Sequence, residues 1–135
     1  DEVMLSDSVK SLAFFTPERR FVPCEADEFV EEGKDIRLGK LDISVLHTPG
    51  HTAGSVCYLF SDPAAPEKRY MLSGDTLFKD SIGRSDTYSG DPVIQLRSLD
   101  KIRELEGDYI VLPGHGEATT LETEKRFNPF IADFV

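Results

Sequence analysis

Apolar positions change their period along this chain, and each change marks an element. Leu5, Val9, Leu12 and Ala13 recur at spacings of three and four, which predicts a first helix over 3–14 that Pro17 ends. The segment "EFVEEGKDIRLGK" at 28–40 turns around Gly33 and Gly39, consistent with a hairpin at a sheet edge. Leu41, Ile43 and Val45 then alternate with polar partners, so a half-buried strand runs into "HTPGH". "SVCYLF" at 55–60 and "RYMLS" at 69–73 read as two further strands able to pair as a hairpin, with the proline-rich "SDPAAPEK" as the loop between them.

The helical period returns at Asp91-Pro92. An N-cap carboxylate accepts an orphan amide, and proline in the first turn has no amide to lose. Leu96, Leu99, Ile102 and Leu105 mark the apolar face of the predicted helix, and Gly107 ends it. "DYIVL" at 108–112 predicts a short buried strand. Thr119 with Glu122 then forms a capping box ahead of a last helix that stops before Asn128-Pro129. Strands followed by helices, with no internal repeat, low-complexity tract or interior linker, place the chain in the mixed α/β (α+β) class.

Composition narrows the function classes. The 135 residues, 39% of them hydrophobic, are one domain's worth of material. With 25 acidic against 15 basic residues the net charge is −10, which disfavours nucleic acid or an anionic membrane surface as partner. No apolar run approaches the roughly 18 residues of a membrane span. No charged-then-apolar leader opens the chain, so a cytoplasmic address is expected. Of the two cysteines, Cys24 and Cys57, the second lies in an apolar run and reads as a buried free thiol.

Candidate chemistry gathers where the predicted strands end. The sequence has three histidines, and two of them follow Pro-Gly pairs, in "PGHT" at 49–52 and "PGHG" at 113–116; Asp75 follows a glycine in "SGDT". His51, Asp75 and His115 each lie just beyond a predicted strand, where layered α/β folds open a crevice. A preceding glycine lets the backbone approach an ion closely. Imidazole nitrogen and carboxylate oxygen suit zinc or a similar first-row ion, and a carboxylate can bridge two of them. A lone Gly-His is a common turn; the coincidence of three such positions makes the metal reading worth carrying. His47 has no glycine before it and reads as a residue that orients the loop by a hydrogen bond.

"LHTPGHTAGSVCYLF", "MLSGDTLFKDSIGRSD" and "YIVLPGHGEATTLETEKRFNP" resemble the successive motifs of the metallo-β-lactamase superfamily, in its glyoxalase II-like branch, from about Asp27 to Pro129. The resemblance implies a four-layer αββα sandwich, of which residues 1–135 would be one partial domain: the C-terminal half, a mixed sheet with helices on its outer face. It implies His51 as a ligand of a first metal, Asp75 as the catalytic carboxylate bridging two, and His115 as a ligand of the second. The metals would be two zinc ions per complete domain, with iron or manganese as alternatives. The implied reaction is attack of metal-activated water on a thioester or ester. "GRSD" at 83–86 matches a loop near the substrate, making Arg84 a candidate anchor for a carboxylate, with Tyr88 a second candidate on that loop.

The family's His-x-His-x-Asp-His motif does not occur in these 135 residues. The chain therefore reads as part of a longer hydrolase that by itself binds metal weakly and turns over little. Its partners would be the other half of the domain or, through an exposed sheet face, a second copy. A naturally short, non-catalytic binding module and part of an iron-dependent persulfide dioxygenase stay as alternatives. A β-lactamase is the weaker reading, because an acidic, leaderless chain does not look periplasmic.

Overall fold

The computed structural model describes residues 1–132. The chain divides into two compact units, Asp1–Val30 and Glu31–Val135. In the first, helix α1 spans only Glu2–Ser6, so the helix predicted over 3–14 does not form as such. Asp7 explains its early end: its carboxylate accepts from the amides of Val9 and Lys10 at 2.9 and 3.1 Å, a local turn that competes with helix. Leu12 is then left-handed, with φ 58°, and a 3-10 turn follows at Ala13–Phe15.

The second unit holds all the strands. They are β1 (Ile36–Leu38), β2 (Leu41–His47), β3 (Val56–Asp62), β4 (Ala65–Gly74), β5 (Leu77–Phe78), β6 (Ser81–Ile82), β7 (Ile110–Pro113) and β8 (Thr119–Thr120). Helix α2 spans Pro92–Arg103 and α3 spans Leu121–Phe127. The main sheet runs β1-β2-β3-β4-β7-β8, while β5 and β6 form a separate hairpin. Only the β4–β7 pairing is parallel, so the sheet is mixed and the class is α+β. Parallel strands require a crossover, and α2 lies within the one that joins β4 to β7.

The predicted loop at 61–68 is largely strand. β3 and β4 extend until only Pro63 and Ala64 remain between them, and the Asp62 carboxylate accepts from Ala64 N at 2.8 Å to close the turn. A register shift at Ser61/Asp62 accommodates Pro66, which could not donate to a regular ladder.

Side chains alternate across the sheet. Cys57, Met71 and Val111 on one face pack with Leu77, Ile102 of α2 and Leu121 of α3 into the core. The opposite face carries Tyr58, Phe60, Tyr70, Leu72 and Leu112, with Phe60 and Tyr70 stacked across strands at 5.4 Å. Between Val56, Tyr58, Leu72, Leu112 and Pro113 that face holds an apolar groove of about 270 Å³. Among the described residues no helix is long and apolar enough to cross a membrane.

The start signals of α2 and α3 hold with one displacement, while α2 ends at Arg103, before the Gly107 expected to stop it. Asp91 caps α2, accepting from the amides of Val93 and Ile94. In α3 the cap is Thr120, whose oxygen accepts from Thr123 N at 3.2 Å. Thr119, expected there, lies in β8 and donates to buried Glu124 at 2.6 Å. The Glu122 amide goes to Asp108. The cap is displaced because β8 holds Thr119 extended, so the helix starts one residue later.

Cys57 is fully buried and Cys24 exposed. Burial pushes the Cys57 thiol from its ordinary 9.0 up to about 11, against hydrogen bonds that lower it. A disulfide reagent at pH 8 is expected to titrate one thiol in the native protein and two after denaturation. Since the folded thiol stays protonated while an exposed one ionises, this group's contribution to stability is complete below about pH 9 and fades as pH rises toward 11. Two fast-reacting thiols in the native state would contradict the buried placement.

Candidate metal centre

Three loops meet at the ends of β2, β4 and β7, and each brings one of the residues marked in the sequence. His51 follows β2, Asp75 follows β4 and His115 follows β7. The parallel β4–β7 pairing sets Gly74 beside Pro113, and Gly114 N donates to Gly74 O at 2.8 Å. Asp75 and His115 are adjacent for that reason. On the other side, the antiparallel β2–β3–β4 order carries the His51 loop to the same end of the sheet. Thr48 ties it there: its buried hydroxyl lies 3.2 Å from that of Thr76, beside Asp75.

The resulting geometry centres on one oxygen. Asp75 Oδ2 lies 3.6 Å from His51 Nε2 and 3.5 Å from His115 Nε2. His51 Nδ1 lies 2.7 Å from the carbonyl oxygen of Arg84. A carbonyl only accepts, so Nδ1 carries the proton and a neutral ring presents a bare Nε2 lone pair toward Asp75. A lone pair facing a carboxylate oxygen is unfavourable; a second ring proton relieves it by forming an ion pair with Asp75, and a bound cation relieves it by lying between them. The separation fits such an ion, because a nitrogen and an oxygen at about 2.0–2.2 Å from one tetrahedral zinc stand about 3.4 Å apart. The donor set present therefore fits a first-row cation. Among the described residues no group of three or more His, Cys, Asp or Glu side chains closes into a metal cage. The arrangement is instead one histidine on each side of a shared carboxylate.

Glycines make the close packing possible. A Cβ on Gly114 would lie 2.4 Å from Asp75 Oδ1; one on Gly83 would lie 1.7 Å from the Asp75 carbonyl oxygen and 3.3 Å from His51 Nδ1. At Gly83 the conflict is with main chain and the position is closed to any side chain; at Gly114 a side chain would displace the Asp75 carboxylate. His47 points away from the three, its Nε2 3.0 Å from the Ala53 carbonyl across the loop that carries His51, an orienting contact of the kind expected.

A cavity of about 470 Å³ opens on the site, walled by His51, Asp75, Phe78, Lys79, Arg84 and His115. His115 is 72% exposed, and its ring rests on that of Phe78 at 4.5 Å. Lys79 pairs with Glu117 at the mouth. The Arg84 guanidinium forks onto Asp86 at 2.7 and 3.0 Å; the pair raises the pKa of Arg84 and lowers that of Asp86. Tyr88 lies on the same loop but outside the cavity wall, 42% exposed. Phe78 escapes sequence reading because β5 and β6, two residues each, are too short to show a period.

The family model for the metallo-beta-lactamase superfamily matches residues 3–115. The chain belongs to the metallo-beta-lactamase superfamily. An uncharacterised Mycobacterium tuberculosis protein is 38% identical over 142 residues, covering 97% of this chain and 61% of its own length. Hydroxyacylglutathione hydrolase GloC of Haemophilus influenzae is 38% identical over 104 residues, covering 76% of this chain and 47% of its own. Among solved superfamily structures, the BLEG-1 B3 metallo-beta-lactamase matches at a TM-score of 0.83 and 36% identity, over 96% of this chain and 61% of that one. TTHA1623 in a di-iron-bound form matches at 0.69 and 38%, over 88% and 56%. The mixed sheet with its few helices is thus the superfamily's fold, and metals occur among its members. The chain spans about half to three-fifths of the length of the relatives it matches.

Proposed function

We propose that this chain carries part of a two-cation centre that hydrolyses a thioester or ester, with His51 and His115 serving one cation each and Asp75 shared between them. The observation that carries the reading is the convergence of both Nε2 atoms on Asp75 Oδ2 at 3.5–3.6 Å, with the Nδ1 side of His51 taken by the Arg84 carbonyl. Zinc suits these donors, and iron or manganese belong to the same chemistry. Bound there, such an ion supplies Lewis acidity toward a carbonyl and a lowered pKa for coordinated water.

The chain's own residues then have distinct tasks. The Arg84 carbonyl holds the His51 proton on Nδ1, and Phe78 supports His115 while offering an apolar wall to an acyl group. Arg84 is the anchor for a substrate carboxylate. Its fork is already shaped for two oxygens, and an exposed pair such as Arg84–Asp86 exchanges readily because water and salt screen it. A thioester suits such a site, since a thiolate leaves with little help from a general acid. The likeness to a hydroxyacylglutathione hydrolase supports that substrate class.

Three ligands for two cations fall short of the usual three or four each. The remaining ligands, in this reading, come from outside these 135 residues, and the sheet face with Tyr58, Phe60, Tyr70 and Leu72 receives the segment that brings them. The test compares this chain with a version extended upstream by a segment carrying the His-x-His-x-Asp-His motif. The extended protein is expected to bind close to two zinc ions and cleave an acyl-glutathione thioester, and the 135-residue chain to do little. An extended protein that binds no metal would end this reading.

A further inference from the structure

The buried face of α2 is polar where a core would be apolar. Gln95 and Ser98 are each 2% exposed, and three polar side chains of α2 each reach a backbone carbonyl in a loop that carries the site or at the strand end that leads into it. Ser98 Oγ donates to Pro49 O at 2.6 Å, Lys101 Nζ to His47 O at 2.7 Å, and Gln95 Nε2 to Gly83 O at 2.6 Å.

Gln95 differs from the other two in touching both loops. A Cβ on Gly50, the residue before His51, would lie 2.3 Å from Gln95 Cβ and 2.4 Å from its Cα, so the His51 loop leans directly on Gln95. On its other side the Gln95 amide holds Gly83, which packs close to His51 Nδ1 and precedes Arg84, whose carbonyl takes the Nδ1 proton. One residue therefore touches both segments: its backbone and Cβ support the His51 loop, and its side-chain amide holds the main chain that decides where the His51 proton sits. Gln95 does not touch the cavity.

We infer that Gln95 is a positioning residue that sets the tautomer and orientation of His51, and so keeps the Nε2 lone pair directed at Asp75. A donor that fixes a ligand's own hydrogen-bond partner acts on metal affinity from one layer further out. Loss of outer partners of this kind typically weakens a metal site about 10–100-fold. That consequence rests on the metal reading above; the tautomer does not.

The sequence suits a direct test, because it contains three histidines and Gln95 is its only glutamine. Ring-nitrogen NMR on the ¹⁵N-histidine-labelled chain, without metal, reads the tautomer of each ring. The wild-type protein is expected to show His51 protonated at Nδ1 and a Gln95 side-chain amide protected from exchange. Gln95→Met keeps the shape and removes the donor; His51 is expected to become a tautomer mixture while the His115 signals stay in place. Ser98→Ala, which removes the neighbouring contact to Pro49, is expected to leave the His51 tautomer unchanged.

An unaltered His51 tautomer in folded Gln95→Met would overturn the inference, as would an equal change in Ser98→Ala. If Gln95→Met does not fold, the wild-type spectrum decides: an Nε2-protonated His51 or a freely exchanging Gln95 amide overturns the inference, and the reverse supports it. Zinc titration separates the two claims. A tautomer that responds to Gln95 in a chain whose zinc affinity is indifferent to His51→Ala would uphold the role of Gln95 and refute the metal reading. A shared fall in zinc affinity for Gln95→Met and His51→Ala would support both.

Discussion

Asp75→Asn is expected to weaken zinc binding by more than the 10–100-fold typical of an outer partner, with the fold intact. The reason is geometric and electrostatic together. Both histidine Nε2 atoms face the same Asp75 oxygen, so this carboxylate is the anionic group common to both sides of the site. Asparagine keeps its size and removes its charge. It also places either a neutral oxygen or an N–H against each lone pair; an N–H there would hydrogen-bond the histidines and occupy the space a cation needs. Asp75 is one-third exposed, so the substitution removes no core packing. Calorimetric zinc titration with circular dichroism on the same sample reads affinity and fold separately. An Asp75→Asn chain that binds zinc as the parent does would show that Asp75 is an ordinary loop carboxylate.

Gly83→Ala is expected to cost about 1–3 kcal/mol of stability and to disorder the site together with it. A Cβ at this position would overlap the Asp75 carbonyl oxygen at 1.7 Å. The conflict is with main chain, so no side-chain rotation relieves it. Either the Asp75 turn moves, which disturbs Gly114 N to Gly74 O and the carboxylate beside it, or the Gly83–Arg84 segment moves, which disturbs the Gln95 amide to Gly83 O and His51 Nδ1–H to Arg84 O. For a domain near 100 residues each kcal/mol lowers Tm by about 4–8 °C. A thermal scan that shows no loss, with histidine resonances unchanged, would mean that the two segments are looser than their packing implies.

Much of this fold is legible in the sequence where a long period is uninterrupted. β2 declares itself by alternation, β3, β4 and β7 by short apolar runs bounded by turn residues, and the start of α2 by Asp91-Pro92. The face of α2 departs from the expectation in a revealing way. Counting in threes from Leu96 predicts Leu96 inside, but that count drifts round a helix of 3.6 residues per turn. The face at 95, 98, 99 and 102 follows the helical period, leaving Leu96 53% exposed and Gln95 and Ser98 buried. Two polar residues at inward positions are thus a readable sign that α2 packs on backbone carbonyls as well as on a core.

The site is legible for a different reason. Glycine before His51, Asp75 and His115 reflects crowding that the structure makes explicit at Gly114, and strand order brings the three loops together. What the sequence could not show is contact through short or nonlocal elements. Phe78 reaches His115 from a two-residue strand. The hairpin that carries it is stitched to α3 by buried Asn128, whose amide donates to Ser81 O at 3.0 Å and to Glu124 at 2.8 Å. The pairing of Arg84 with Asp86 two residues away is local enough to be read in "GRSD", and under the proposed function Arg84 would have to exchange it for a substrate carboxylate.

The most direct test of the metal centre is a zinc titration of the 135-residue chain followed by the ring-nitrogen resonances of its three histidines. The account predicts that His51 and His115 shift together at their Nε2 atoms while His47, turned to the Ala53 carbonyl, stays where it is. Zinc that moves His47, or that leaves both His51 and His115 unmoved at millimolar concentration, would contradict it.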